Sequence, residues 1–279
     1  MNHDHPHRLL HSQEFGLGPA PLVCLHSSGA SGGQWRALAE RLQGRHRLVC
    51  VDLPGHGRSS DWAPDTRPDL ALEAEVVWMS LGPTPVPLDL VGHSYGAALA
   101  LQMARQRPER VRSLTLYEPV LFGLLKHQEP WGEAWHEIAD LAGRIDARLA
   151  RHQPEGAAAL FCDYWADGPA WAALNCLQQQ SLARRMPTIA RHFQALFAAS
   201  WGTRELARLP PLRLLCGGRT RAPARRISEL LALALPQARL DWLPMAGHLG
   251  PISHPDEVAA WLSATPRPAQ QRAYAQACV

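Results

Sequence analysis

Short apolar runs alternate with longer stretches of helical spacing along most of the chain, and this alternation limits the folds it can adopt. Six runs bounded by turn residues have the length of buried strands, at 21–26, 46–53, 86–93, 111–119, 211–218 and 238–244. Helical patterns stand between or after them, at 34–44, 69–81, 95–107, 224–235 and 255–262. Apolar strands separated by helices are typical of a parallel sheet that helices cover on both faces. The alternation therefore predicts an α/β fold with a mostly parallel central sheet.

The pattern changes near residue 120. From 121 to 205 no run resembles a strand, and aromatic residues fall at helical spacing, among them Phe161, Tyr164, Trp165, Phe193, Phe197 and Trp201. This change predicts an all-helical cap insertion at 121–205 between two parts of the α/β core, 1–120 and 206–264. The proline-rich, polar residues 265–279 are expected to form a flexible tail.

The composition argues against several classes of partner. A net charge of +3 over 279 residues, without a basic block, disfavours nucleic acid. No apolar run reaches the roughly 18 residues of a membrane helix, and the six cysteines include no C-x-x-C pair. We therefore expect a cytoplasmic protein with free thiols that acts on a small molecule and does not bind membranes. His3, His5 and His7 fit a polar, flexible terminus better than a metal site, and the oligomeric state stays open.

The stretch Gly92-His93-Ser94-Tyr95-Gly96 lies where a predicted strand gives way to a predicted helix. A strand that enters G-x-S-x-G and leaves as a helix forms a nucleophile elbow, in which the serine has strained backbone and the glycines allow close chain contact. The helix N-terminus directs free N–H groups toward any oxyanion that forms there. The pattern predicts Ser94 as a nucleophile and the Tyr95 N–H as one oxyanion-hole donor.

Together with this elbow, three further motifs carry a resemblance to a known family: LHSSGASGGQW, VDLPGHGRS and PMAGHLGPISHPDEV. Over 20–118 and 210–262 the chain resembles the α/β-hydrolase fold family, in its serine hydrolase or esterase branch with a helical cap. The resemblance implies the order nucleophile, acid, histidine along the chain, and it makes His248 the catalytic base. His254 is the rival histidine, although it fits the entry to the last helix. The other histidines in motif loops, His26, His56 and His93, are expected to make structural hydrogen bonds.

The acid departs from the family's commonest pattern. Most members place an aspartate after the strand that here is 211–218, but the loop 218–223 contains no carboxylate. Some branches, haloalkane dehalogenases among them, use the strand after the nucleophile helix, and that strand ends here in Glu118. Functional groups gather at the carboxyl ends of parallel strands, so Glu118 is at the expected edge. Asp241 and Asp52 are the weaker alternatives.

The resemblance also places the second oxyanion-hole donor, the N–H of Ser28, in the loop after the first predicted strand. The family usually has His-Gly-x there, and this chain has Ser27 in place of the glycine.

A serine, histidine and glutamate in these roles predict acyl transfer through an acyl-enzyme intermediate, without a metal or organic cofactor. Haloalkane dehalogenases and epoxide hydrolases need a carboxylate nucleophile, so Ser94 argues against both activities. The cap aromatics favour an apolar or aromatic acyl group in a small to medium ester, thioester or lactone. Two alternatives stay open. One is hydrolysis of a carbon–carbon bond in a ring-cleavage product, whose relatives carry asparagine where this chain has His93. The other is a receptor-like protein that binds a ligand and retains the triad.

Overall fold

The structure is a computed structural model that describes residues 10–18, 21–42, 44, 46–63, 65–84, 86–199, 201, 205, 208–235 and 237–264. His3, His5 and His7 and the predicted tail at 265–279 lie outside the described residues.

Seven strands form one sheet in the order β1-β3-β2-β4-β5-β6-β7. Their bounds are β1 Ser12–Phe15, β2 Pro21–Leu25, β3 Arg47–Val51, β4 Leu88–His93, β5 Val111–Tyr117, β6 Leu212–Gly217 and β7 Arg239–Leu243. β1 pairs antiparallel with β3, and each of the other neighbouring pairs is parallel. The prediction of an α/β fold with a mostly parallel sheet is confirmed. The sequence analysis missed β1, because the segment Ser-Gln-Glu-Phe is polar and forms a partly exposed edge strand.

Both faces of the sheet are buried, because successive apolar residues of the inner strands point to opposite sides. On β2, Val23 and Leu25 belong to one core cluster and Cys24 to the other. The first cluster contains apolar residues of α2 Leu70–Leu81, α3 Tyr95–Gln106 and α8 Ala222–Ala234, and it continues into the helices between β5 and β6. The second contains residues of α1 Arg36–Arg41 and α10 Pro255–Ser263, which follows the short helix α9 Gly250–Ser253. This two-sided cover explains why the strands read as continuous apolar runs rather than alternating ones.

The chain between β5 and β6 is helical wherever the structure describes it as regular. Its helices are α4 Phe122–Gln128, α5 Glu133–Ala150, α6 Pro154–Ala166 and α7 Cys176–Ala198. α7 begins at a capping box, in which Asn175 and Gln178 satisfy each other's backbone N–H groups. We refer to α4–α7 as the cap. That residues 121–205 form a separate unit stays a prediction.

Polar side chains of α7 contact the loops that contain Gly29 and Asp61. The Arg191 guanidinium lies 2.7 Å from the Asp61 carboxylate, and the Thr188 hydroxyl donates to the same carboxylate at 2.8 Å. The Arg185 guanidinium donates to the backbone oxygen of Gly29 at 2.9 Å. These contacts hold α7 against the loops that follow β2 and β3. None of the helices in the described ranges is long and apolar enough to cross a membrane.

Candidate active site

Ser94 lies in a tight turn between β4 and α3. Its backbone angles, φ 55° and ψ −116°, are outside the regions that most residues adopt. A Cβ atom on Gly96 would lie 2.2 Å from the backbone oxygen of Leu25, and one on Gly92 would lie 2.5 Å from the Cα of Ala97. Both positions therefore require glycine. The strained turn carries the Ser94 side chain beyond the carboxyl edge of the sheet.

Ser94, His248 and Glu118 form a continuous chain of hydrogen bonds. His248 Nε2 lies 2.9 Å from Ser94 Oγ, and His248 Nδ1 lies 2.6 Å from Glu118 Oε2. Glu118 is fully buried, and the other two side chains are nearly so. A carboxylate that accepts from Nδ1–H leaves Nε2 unprotonated, and Nε2 is then free to take a proton from the serine. The three residues predicted from the sequence are thus brought together in the geometry of a nucleophile, a base and an orienting acid.

Glu118 is held by donors from the neighbouring strand β6 and the loop after it. Its Oε1 accepts from the Gly217 N–H at 2.7 Å, and its Oε2 accepts from the Thr220 hydroxyl at 2.6 Å. Glu118 itself has φ 46°, an unusual value for a residue with a side chain. Residues 218–223, where the family's commonest acid would be, thus supply a donor to Glu118. Neither Gly217 nor Thr220 was singled out from the sequence, because nothing local marks a residue as the donor to a distant carboxylate.

Two aromatic rings fix the position of His248. The Trp165 ring of the cap stacks on the imidazole, with centroids 4.0 Å apart and planes inclined by 29°. His93 Nε2–H donates to the backbone oxygen of His248 at 2.8 Å. Burial and the neighbouring His248 hold the pKa of His93 well below its ordinary value, so His93 is neutral. His93 therefore supports the backbone of the base, as the sequence analysis expected of a structural histidine.

The alternative candidates for the base and the acid have hydrogen-bond partners outside the Ser94 site. His254 pairs with the hydroxyl of Ser253 at the surface, at 2.8 Å. Asp241 accepts from Arg239 and from the indole N–H of Trp261. Asp52 accepts from the backbone N–H groups of Gly32 and Arg58 and contacts His11, which places it in the loop structure next to β3.

Two buried histidines shape the loop that carries Ser28. His26 Nε2 accepts from the Leu53 N–H at 3.0 Å, and His56 Nε2 accepts from the Gly29 N–H at 3.1 Å. Burial is the main cause that lowers the pKa of His26 to about 3 and that of His56 to about 4, so both rings are neutral acceptors. These contacts also match the expected structural role of His26 and His56.

The two predicted oxyanion-hole residues lie on either side of the nucleophile. Tyr95 is the first residue of α3, directly after Ser94, so its N–H is one of the unpaired donors at a helix N-terminus. Ser28 lines the same pocket as Ser94 and His248. Within the described residues, the N–H of neither has a hydrogen-bond acceptor. Two free donors beside a serine nucleophile are what an oxyanion hole requires.

The pocket over Ser94 is small and apolar. It encloses about 40 Å³ and is lined by Ser27, Ser28, Ser94, Val120, Phe122, Phe161, Trp165, Phe193, Leu196, His248 and Leu249. Within the described part of the chain, this lining includes no carboxylate, lysine or arginine side chain. Three of the cap aromatics noted in the sequence, Phe161, Trp165 and Phe193, face the pocket, whereas Tyr164 and Phe197 do not line it. Helical spacing had identified the aromatic stripe but could not show which members reach the nucleophile.

The described residues contain no group of three or more histidine, cysteine, aspartate or glutamate side chains arranged to hold a metal ion.

Comparison with known proteins shows which family this chain belongs to. The chain is 29% identical to a pimeloyl-[acyl-carrier protein] methyl ester esterase of Nitrosomonas europaea, over 91% of this chain and 98% of that protein. It is 38% identical to a haloalkane dehalogenase of Agrobacterium fabrum, but over 117 residues that span 36% of that protein. Among solved structures, a hydrolase of Pseudomonas aeruginosa matches with a TM-score of 0.72 and 25% identity, over 91% of this chain and 94% of that one. A hydrolase of Oleispira antarctica, at 16% identity, has the same TM-score and the same fold.

The family model described as "Alpha/beta hydrolase family" matches residues 22–261, which is most of the chain. The matched region includes the elbow, the loop that carries Ser28, the cap and the loop with His248. The chain belongs to the alpha/beta hydrolase family.

Proposed function

We propose that the protein is a serine hydrolase of the carboxylesterase type, with Ser94 as nucleophile, His248 as general base and acid, and Glu118 as the orienting carboxylate. The observation that carries this proposal is the unbroken chain of hydrogen bonds from Ser94 Oγ through His248 to Glu118 Oε2, buried beneath an apolar pocket. A serine hydroxyl is a weak nucleophile at neutral pH, and a correctly oriented imidazole activates it.

The reaction begins when Ser94 Oγ attacks the carbonyl carbon of the substrate while His248 Nε2 takes the hydroxyl proton. The carbonyl oxygen becomes negatively charged, and the N–H groups of Ser28 and Tyr95 donate to it. The tetrahedral intermediate expels the alcohol, which leaves with the proton from His248. Water then attacks the acyl-enzyme by the same steps in reverse order, releasing the carboxylic acid and restoring Ser94.

The lining of the pocket supports an apolar or aromatic acyl group in an ester, thioester or lactone. Phe122, Phe161 and Phe193 lie over the nucleophile, and a charged acyl group would lose its hydration there without a partner. The enclosed volume of about 40 Å³ holds two or three water molecules, far less than the roughly 300–1,000 Å³ of a typical ligand pocket. A small acyl group fits this space, and a longer one needs more room than it offers.

The names of the two relatives indicate different reactions, and the serine at position 94 favours the esterase. The Nitrosomonas protein is named a methyl ester esterase, which is consistent with acyl transfer from an ester. Displacement of a halide through an ester intermediate needs a carboxylate nucleophile, and the elbow presents a serine. We therefore draw the activity from the esterase.

The proposal is tested with a chain-length series of 4-nitrophenyl esters, assayed with wild type and Ser94→Ala in parallel. We expect wild-type turnover to be highest for short or aromatic acyl groups, and Ser94→Ala to lose a factor on the order of 10⁶. Diethyl 4-nitrophenyl phosphate should phosphorylate wild type at Ser94, as measured by mass spectrometry, and leave Ser94→Ala unmodified.

Turnover that survives in Ser94→Ala would contradict the proposal. A labelled Ser94 without turnover of any ester would favour one of the two open alternatives, a carbon–carbon bond hydrolase or a receptor-like protein.

A further inference from the structure

A histidine of the cap contacts the loop that carries Ser28. His192 on α7 is buried, and its Nδ1 lies 2.7 Å from the side-chain oxygen of Ser28. The sequence gives these two residues a separation of 164 positions, so the contact is made by the fold alone. Ser28 is the residue whose N–H we propose as an oxyanion donor, and it lines the pocket that contains Ser94. Ser28 thus has a side-chain hydroxyl near the pocket in addition to its backbone N–H.

Two rings stack on His192. The Tyr95 ring stacks on it with centroids 3.7 Å apart and planes inclined by 6°, and the His56 ring stacks at 5.2 Å with an inclination of 15°. Tyr95 is itself fixed by its hydroxyl, which donates to Glu73 at 2.8 Å. Together with the contacts that α7 makes to Asp61, this packing leaves His192 little freedom to rotate, so Nδ1 is presented to Ser28 in one orientation.

The state of the ring determines what the Ser28 hydroxyl can do. Burial, His56, His26 and Arg191 hold the pKa of His192 well below its ordinary value, so the imidazole is neutral and carries one proton. When that proton is on Nδ1, the ring donates to Ser28 Oγ. The hydroxyl proton of Ser28 is then released from His192 and can point into the pocket.

We propose that His192 is a positioning residue that orients the Ser28 hydroxyl as a third hydrogen-bond donor to the oxyanion, beside the N–H groups of Ser28 and Tyr95. The inference rests on the proposed serine-hydrolase function and adds a residue from the cap to its machinery. No bond is made or broken by the pair. The Ser28 O–H···O hydrogen bond strengthens as the substrate carbonyl oxygen gains negative charge, so it stabilises the transition state more than the bound ester.

The decisive variants separate the hydrogen bond of His192 from its stacking. His192→Phe keeps a ring between Tyr95 and His56 but has no nitrogen. His192→Asn loses the ring but places an amide near Nδ1. Ser28→Ala removes the hydroxyl and keeps the backbone N–H. Ser253→Ala is the matched control, because Ser253 forms a similar serine–histidine pair with His254 at the surface, at 2.8 Å.

We measure kcat and KM on the best 4-nitrophenyl ester and the affinity for a boronic acid of the same acyl group, which mimics the tetrahedral intermediate. One oxyanion donor is worth about 10²–10³ in kcat, and an auxiliary third donor should be worth roughly 10-fold or more. Ser28→Ala and His192→Phe should therefore lose at least 10-fold in kcat and in boronic-acid affinity, with KM within about three-fold. His192→Asn should retain more turnover than His192→Phe, the double variant Ser28→Ala/His192→Phe should be no worse than Ser28→Ala, and Ser253→Ala should match wild type.

Three results would overturn the inference. They are wild-type turnover in Ser28→Ala, greater activity in His192→Phe than in His192→Asn, or losses that multiply in the double variant. Should His192→Phe fail to fold, Ser28→Ala decides alone, since it removes one oxygen atom from a half-buried side chain. Phosphorylation of Ser94 separates this failure from that of the proposed function. A labelled, active wild type with an unaffected Ser28→Ala refutes the third donor only, whereas an unlabelled wild type refutes the serine hydrolase.

Discussion

Two glutamates of this protein are equally buried, but their surroundings differ. Glu118, beside the nucleophile, accepts hydrogen bonds from the Gly217 N–H and the Thr220 hydroxyl and contacts His248. Glu73, on α2, accepts one hydrogen bond, from the Tyr95 hydroxyl, and its Oε1 has no partner among the described residues. Burial raises the pKa of Glu73 to about 8, and a single donor faces it, whereas Glu118 has two donors in addition to its contact with His248. Two carboxylates at nearly the same depth thus differ in the number of donors that are placed to stabilise a negative charge.

The strongest test of this contrast replaces each carboxylate by its amide. Glu118→Gln should lower kcat about 10³–10⁴-fold, because an amide cannot stabilise the imidazolium and favours the wrong tautomer of His248. Glu73→Gln should stay within a few-fold of wild type, since it accepts from the Tyr95 hydroxyl in the same way. Steady-state kinetics on one ester and thermal unfolding of both variants make the comparison.

Asp241→Asn and Asp52→Asn are the controls for the choice of acid. Near-normal turnover in Glu118→Gln, or a loss of similar size in Asp241→Asn, would move the acid away from Glu118.

A smaller effect on kcat is expected when a hydrogen bond to Glu118 is removed. Thr220→Val removes a hydroxyl that donates to Oε2, the same oxygen that His248 contacts, and keeps the volume of the side chain. One hydrogen bond to a charged group is worth about 1.5–3 kcal/mol, part of which reorganisation should recover, so we expect roughly a 10-fold loss in kcat with little change in KM. Thr220→Ser, which keeps the hydroxyl, should restore turnover. Equal turnover in the valine and serine variants would show that Gly217 and His248 suffice to hold the carboxylate.

The same contrast explains how far the sequence could predict this site. The surroundings of Ser94 are local, because two glycines, a strand and a helix within a few positions are enough to indicate the turn. The place of Glu118 could be predicted, because it follows β5, and β5 lies beside β4, the strand that leads to Ser94. The donors to Glu118 could not be predicted, because Gly217 and Thr220 are about 100 positions away along the chain and no local sequence pattern marks them. The roles assigned to Ser94, His248 and Glu118 stay predictions until variants are assayed.

His192 and β1 were missed for related physical reasons. A single histidine on a helix is usually a core residue, and the contact with Ser28 depends on how the cap lies over the sheet. β1 has no apolar run, because an edge strand is held by backbone pairing with β3 and needs little buried surface. In both cases the deciding contact joins segments that are distant in the chain. The apolar strands, whose burial is encoded in their own residues, were predicted to within a few positions.

The last effect concerns stability and pH rather than turnover, and it tests the other half of the comparison. Glu73 has a pKa of about 8 in the folded protein, above its ordinary value near 4.5. Its protonated form is therefore favoured in the folded state, and the stability that it contributes is complete below pH 4.5. As the pH rises from about 4.5 to 8, the unfolded chain releases this proton first, and the free energy of unfolding falls by up to about 1.4 kcal/mol per pH unit.

Glu73→Gln removes this proton from both states while keeping the acceptor for the Tyr95 hydroxyl. The melting temperatures of variant and wild type should agree near pH 4.5, and the variant should become progressively more stable toward pH 8. The buried histidines His26, His56, His93 and His192 titrate in both proteins, so their contribution cancels in the difference between the two curves. Parallel curves between pH 4.5 and 8 would mean that Glu73 is charged in the folded protein. A buried carboxylate with a single donor would then be tolerated as a charged group here, and the contrast with Glu118 would lose its basis.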